Sequence, residues 1–174
     1  MNQHGRGGPQ RGGFGGSARS GGQGAGYGGG GPGQADDRVA NHWPGYLKDG
    51  YFDANGNLKV EYVSREKVEP LAQKMASLTI HQIRRYFGHC RAIETRLKSG
   101  GATWERVWPE VKKLDVAAAD GAAKQPPKIP PLFHDFIRRN VDKIKTKDDF
   151  LKGFLPHFEA LVGFGQAQFK KERS

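Results

Sequence analysis

The chain has 174 residues, a formal net charge of +10 and a single cysteine, with an isoelectric point of about 9.8. One cysteine excludes an intramolecular disulfide, and no segment approaches the roughly 20 apolar residues that span a bilayer. The charge makes a polyanion, nucleic acid before membrane surface, the first partner to consider.

Residues 1–37 open the chain as a Gly-rich segment in which a disordered tail is expected. Sixteen of the 26 glycines fall in residues 1–34, with Arg6, Arg11 and Arg19 and no acid. Too little apolar surface is present to offset the entropy of ordering it. "RGGPQRGG" resembles the Arg-Gly-Gly segments of RNA-binding proteins, and a plain solubilising tail is the other reading. No apolar run suggests a signal peptide, so a cytoplasmic location is expected. Residues 38–174 are expected to form one helical domain.

Within that domain, "YFDANGNLKVEYV" places Asn55-Gly56 between apolar pairs, the pattern of a hairpin turn. So short a hairpin is marginal alone, and an ordered loop is expected. A first helix over about 64–77 carries Val68, Leu71, Ala72 and Met75 at helical intervals, with a kink or late start at Pro70. Thr79 and Gln82 form the sequence of a capping box for the second helix, which Gly100-Gly101 stops. Pro109 suits the first turn of a third helix, about 109–119, ended by Gly121. "KQPPKIPP" is a loop. A fourth helix spans about 131–144. Thr146, with Asp148-Asp149 after it, starts a fifth that runs toward Phe169 with a kink at Pro156. The sum is an all-α bundle of about five helices behind the Gly/Arg-rich tail.

Catalytic chemistry is not written in this pattern, so the chain is expected to be no enzyme and to need no metal or cofactor. The six histidines contain no His-x-x-x-His pair. Cys90 falls on an apolar helix face, as an inert buried thiol does. The glycine runs do not lead into a helix, so they are no phosphate cradle.

The second helix is where a binding function is legible. Ile80, Ile83, Phe87, Cys90, Ile93 and Leu97 make one face. His81, Arg84, Arg85, His89, Arg91 and Arg96 lie off it, and Glu94 alone breaks the sign. A solvated face normally mixes both charges. Arginine suits phosphate because its fork engages two oxygens. The expected RNA-binding residues are therefore His81, Arg84, Arg85, Arg91 and Arg96, with Lys112, Lys113, Arg138 and Arg139 as extensions. Lys124, Lys128 and Lys143 are further cations that extend the same surface if the fold brings them there.

Three segments carry a resemblance: "GYFDANGNLKVEYV", "LTIHQIRRYFGHCRAIE" and "FLKGFLPHFEALVGF". In this order they resemble the small helical subunit of the type III-A CRISPR effector, the Csm complex, over about residues 49–165. Leu78, Thr79, Gln82, Ile83 and Arg84 fit the family's central motif. Ile80-His81, and the glycines at Gly163 and Gly165, depart from it. The resemblance implies a non-catalytic subunit that self-associates by stacking into a short filament beside the complex's other subunits. Its basic face would support the guide RNA–target RNA duplex by backbone contacts in antiviral defence. The alternative is a stand-alone RNA-binding chaperone that uses the RGG-like tail and the basic helix face.

If the apolar stripe of the second helix faces the core, Ile83→Asp buries an unpaired charge, at a cost of roughly 3 kcal/mol or more. The variant is expected to lose its cooperative thermal melt by circular dichroism.

Overall fold

The computed structural model describes residues 38–171. The tail expected at residues 1–37 lies outside the described residues. Among those described there are six α-helices and no β-strand. They are α1 (Val39–His42), α2 (Arg65–Lys74), α3 (Ile80–Lys98), α4 (Trp104–Ala123), α5 (Pro131–Lys143) and α6 (Leu155–Gly165). A 3₁₀ turn at Val60–Tyr62 precedes α2, and a π-helical segment at Asp149–Phe154 runs into α6. α3 packs on both α4 and α6, α4 packs on α5, and α2 packs on α6.

The apolar stripe of α3 is where its sequence puts it. Ile83, Cys90, Ile93 and Leu97 are buried, and Phe87 meets Phe158 edge to face at 5.4 Å. The capping box is complete. The Thr79 hydroxyl accepts from Gln82 N–H at 3.1 Å, and Gln82 Oε1 accepts from Thr79 N–H at 2.9 Å. Gln82 also donates through Nε2 to the Lys128 carbonyl at 2.7 Å, so the cap holds the 124–130 loop against the start of α3. From the other side, Lys170 exchanges backbone hydrogen bonds with Leu78 and Ile80.

The expected third helix is longer than its sequence signals suggested. α4 begins at Trp104, not at 109, and Pro109 is an interior residue. The ring removes one hydrogen bond, toward the Glu105 carbonyl. The extra turn buries Val107 and sets Trp104 against Trp108 at 5.2 Å and Phe150 at 6.1 Å. Burying such side chains is worth about 1.5–3 kcal/mol each, enough to offset that loss. Gly121 does not end the helix either. It is buried within α4, and a Cβ there would lie 2.4 Å from Ile129 Cγ1. Its carbonyl accepts from Lys128 and Ile129 N–H, which turns the loop back onto the helix.

The expected fifth helix starts where predicted. The Thr146 hydroxyl accepts from Asp149 N–H at 3.1 Å, and Asp149 Oδ2 accepts from Thr146 N–H at 2.9 Å. Ahead of Pro156 the helix widens to π geometry, with Leu155 N–H donating to the Phe150 carbonyl five residues back. The helix stops at Gly165, short of the expected Phe169. The Phe169 ring folds back over Gly165, where a Cβ would lie 2.1 Å from it. The loop at 51–59 is ordered through Asp53, whose Oδ1 accepts from Asn55 and Asn57 N–H, both at 2.9 Å. It forms one bridge, Phe52 with Leu58, rather than strands.

At the centre lies a buried polar chain. His157 Nδ1 sits 2.6 Å from the Tyr62 carbonyl, which can only accept, so Nδ1 carries the proton. Nε2 then accepts from the Tyr46 hydroxyl at 2.7 Å. Asn140 Nδ2 donates to the Tyr46 oxygen at 2.7 Å and to the Phe136 carbonyl at 2.8 Å. Asn140 Oδ1 accepts from the Tyr51 hydroxyl at 2.8 Å. Every member of the chain has a partner, which is what makes its burial tolerable.

Burial holds the His157 pKa down at about 4, against an opposing hydrogen bond to Tyr62. The unfolded chain binds this proton near the ordinary value of about 6.5. Stability is therefore full above that value and falls as pH drops toward 4, by roughly 3 kcal/mol. Asp135 acts at lower pH. Burial alone would raise its pKa, but Arg139, Arg138 and the Val39 N–H together hold it below the usual carboxylate range. Denaturant midpoints are expected to fall from about pH 7 to about pH 5. In His157→Gln, which keeps a donor and an acceptor without titrating, that fall should be much shallower, even if the variant is less stable at neutral pH.

Candidate nucleic-acid interface

The cations expected to bind RNA divide into two groups according to what they touch. In the first, each charge is already engaged by an acid or a carbonyl. Arg96 grips Glu110 with both guanidinium nitrogens, Nη1 at 3.0 Å, and this fork holds the Glu110 carboxyl below its usual range. Arg91 and Lys98 close on Glu94 at 2.6 Å each. Glu94 is buried along α3 beneath them. Arg138 and Arg139 both donate to Asp135, at 2.6 and 2.7 Å, and Asp135 also accepts from Val39 N–H at the start of α1. Lys112 reaches the Val141 carbonyl at 3.3 Å and lies over the Trp108 ring.

The second group lines the cleft between α3 and α4. Arg85, Tyr86, His89, Lys113, Leu114 and Ala117 surround an open pocket of about 260 Å³. Toward the start of α3 the cleft continues past His81, Asp120, Lys124 and Lys128. Asp120 is the acid along this stretch and is taken by Lys124 at 2.8 Å. Arg84 is exposed on the adjoining face of α3 and, like Arg85 and Lys113, makes no ion pair among the described residues.

The structure thus brings His81, Arg85 and Lys113 together, with Arg84 beside them. Arg96 borders the same cleft through Glu110, while His89 approaches the Glu110 carbonyl at 3.3 Å. Arg138 and Arg139 lie at the α1–α5 contact, and Lys112 faces α5 although its neighbour Lys113 faces α3. A step of about 100° per residue sends adjacent helical residues in different directions. Lys124 and Lys128 are carried to the cleft by the Gly121 turn and the Gln82 clasp. Tyr86 is the residue the sequence did not flag. It belongs to neither the apolar stripe nor the basic set, and the structure leaves its ring partly buried at the wall of the cleft.

Gly88 adds a second kind of signal. It lies in the middle of α3, exposed, with nothing within 4 Å of where a Cβ would be. Glycine there costs about 1 kcal/mol relative to alanine, and no packing inside the chain requires it. It leaves the backbone bare between Arg84, Arg85 and Arg91, where a ligand can approach closely.

Among the described residues no three His, Cys, Asp or Glu side chains gather to hold an ion. Cys90 is fully buried, and burial pushes its thiol up to about 12. No described helix is long and apolar enough to cross a membrane.

Residues 61–171, more than half of the chain, match the Csm2 Type III-A family. The chain belongs to that family. It is a small subunit of the type III-A CRISPR effector, the Csm complex, and associates with that complex's other subunits. No curated protein and no solved structure matches the chain. The Csm2 match takes in α2 to α6 and the whole α3–α4 cleft, and leaves out α1 and the loop before the 3₁₀ turn.

The two glycines of α3 and α4 should respond oppositely to alanine. Gly88→Ala is expected to raise stability by about 0.5–1 kcal/mol. Gly121→Ala should lower it by about 1–3 kcal/mol, because Ile129 must move. Parallel urea titrations of the two variants check both signs.

Proposed function

We propose that this subunit is non-catalytic and holds RNA by its phosphates along the α3–α4 cleft within the type III-A complex. The observation that carries the reading is the sorting of charge. Arg85 and Lys113 line the cleft without an ion pair, although Lys113 lies close enough to Glu110 to help hold its carboxyl down, while most other arginines of the bundle are neutralised in place. An ion pair already made has little to offer a phosphate; an unpaired guanidinium or ammonium binds one and releases counterions. The bare backbone at Gly88 supports close approach of the strand. Contacts of this kind position RNA without reading its sequence, and base pairing with a guide supplies the specificity. Self-association into a stacked filament is part of the same proposal, and the family resemblance supports it.

Arg91, Arg96, Lys112, Arg138 and Arg139 enter this reading differently. Their charge contributes to the field around the cleft, and their side chains first serve the fold. Arg84, Arg85, His81 and Lys113 are the direct phosphate ligands.

The double variant Arg85→Ala/Lys113→Ala is expected to keep the parent's helix content and melting temperature. Its affinity for single-stranded RNA should fall, and the slope of log affinity against log salt should shrink by about 0.7 per lost contact. The loss should be alike for unrelated sequences. Fluorescence anisotropy across a salt series measures all three; an unchanged slope would remove the cleft as the phosphate path.

A further inference from the structure

Phosphate tracking explains the rim of the α3–α4 pocket but not its floor. Below Arg85, His89 and Lys113 the surface is formed by Tyr86, Leu114 and Ala117. A phosphate gains nothing from an apolar hollow, and a groove that only follows a backbone does not need one. A nucleotide unit has both chemistries, a flat apolar base joined to an anion. The pocket's volume of about 260 Å³ is below the usual range for larger ligands and suits one such unit.

Tyr86 is the centre of the argument. Its ring is partly buried, lines the pocket and meets Phe133 edge to face at 5.2 Å. Its hydroxyl makes no hydrogen bond among the described residues, although Gln82, Arg85 and Asp120 are near it along the cleft. Burial raises the pKa of that hydroxyl, against a smaller opposing effect of Arg85, so it stays a donor. A braced aromatic ring with a free donor, beneath two unpaired cations, is the arrangement by which proteins hold an unpaired base.

We propose that the α3–α4 pocket receives one unpaired nucleotide of a single RNA strand, its base against Tyr86, Leu114 and Ala117 and its phosphate on Arg85 and Lys113. The inference rests on the RNA-binding reading above and goes beyond it, because it needs a base that a duplex keeps stacked and paired.

Ala117 gives the cleanest test. It is exposed on α4 and lines the pocket, so Ala117→Leu fills the hollow with a good helix former, no core loss and no change of charge. The full chain is titrated with a labelled single-stranded oligouridylate, with an abasic strand of the same length and with a blunt RNA duplex, each over a salt series. Ala117→Leu is expected to weaken the oligouridylate about tenfold with an unchanged salt slope. It should leave the abasic strand and the duplex at the parent's affinity. Tyr86→Ala should repeat this pattern, and Tyr86→Phe should retain most of the affinity. An Ala117→Leu protein that binds oligouridylate like the parent overturns the pocket, as does one that loses the three ligands equally. If salt-dependent binding persists in either case, the phosphate path survives. A parent that shows no salt-dependent binding to any of the three ends both readings.

Discussion

The neutral imidazole of His157 is the constraint on which the domain is assembled. Its two nitrogens can be satisfied only if a carbonyl stands on one side and a hydroxyl on the other. Tyr62 supplies the first from the 3₁₀ turn and Tyr46 the second from the turn after α1. Asn140 passes the demand on to Tyr51 and into α5. One network therefore binds the segment before α2 to α5 and α6. Trp43 stacks on Tyr62 at 5.5 Å and meets the imidazole edge-on at 5.9 Å, which keeps water out. The family match begins at residue 61, yet Trp43, Tyr46, Leu47 and Tyr51 are buried in the core. The helices of the matched region are closed by a plug that lies outside it.

That plug orients α6, α6 orients α3, and α3 with α4 makes the cleft. Position along this route decides which cations are spent inside the chain. At the α1–α5 contact, Arg138 and Arg139 neutralise the carboxylate that holds the Val39 N–H. At the α3–α4 crossing, Arg96 and Glu110 tie the two helices. Farther toward the start of α3, Asp120 is taken by Lys124 and the pocket opens beside Arg85 and Lys113. A basic protein of this kind is not uniformly sticky. Its charge is sorted by the same packing that builds the bundle.

Much of this was legible in the sequence, for reasons that differ by element. The apolar stripe of α3 and the Thr79–Gln82 cap are local signals, and both are in place. Thr146 likewise opens its helix through a local bond to Asp149. The failures share a different cause. Pro109 and Gly121 were read as punctuation because their backbone chemistry usually ends helices. Burial of Val107 and the tryptophan pair overrides the first, and the close seat of Ile129 explains the second. Phe169 was placed on a helix because its spacing fits, although its ring occupies the space that Gly165 leaves free. Among the cations, a helical wheel separated polar from apolar residues but not paired from unpaired ones. Arg96 and Arg85 look equivalent in sequence. They differ because Glu110 of the next helix reaches one of them and not the other.

The clasp between Lys170 and the start of α3 bears on how the protein is made. Leu78 and Ile80 meet a partner some 90 residues downstream, and Tyr46 waits for His157 across 111 positions. Chains emerge from the ribosome at about 5–20 residues per second. For several seconds the nascent subunit has its arginine helix but neither the closure of its core nor the Lys170 backbone contact that fixes that helix in place. Synthesis must pass Lys170 before the start of α3 gains its clasp and the cleft its final shape.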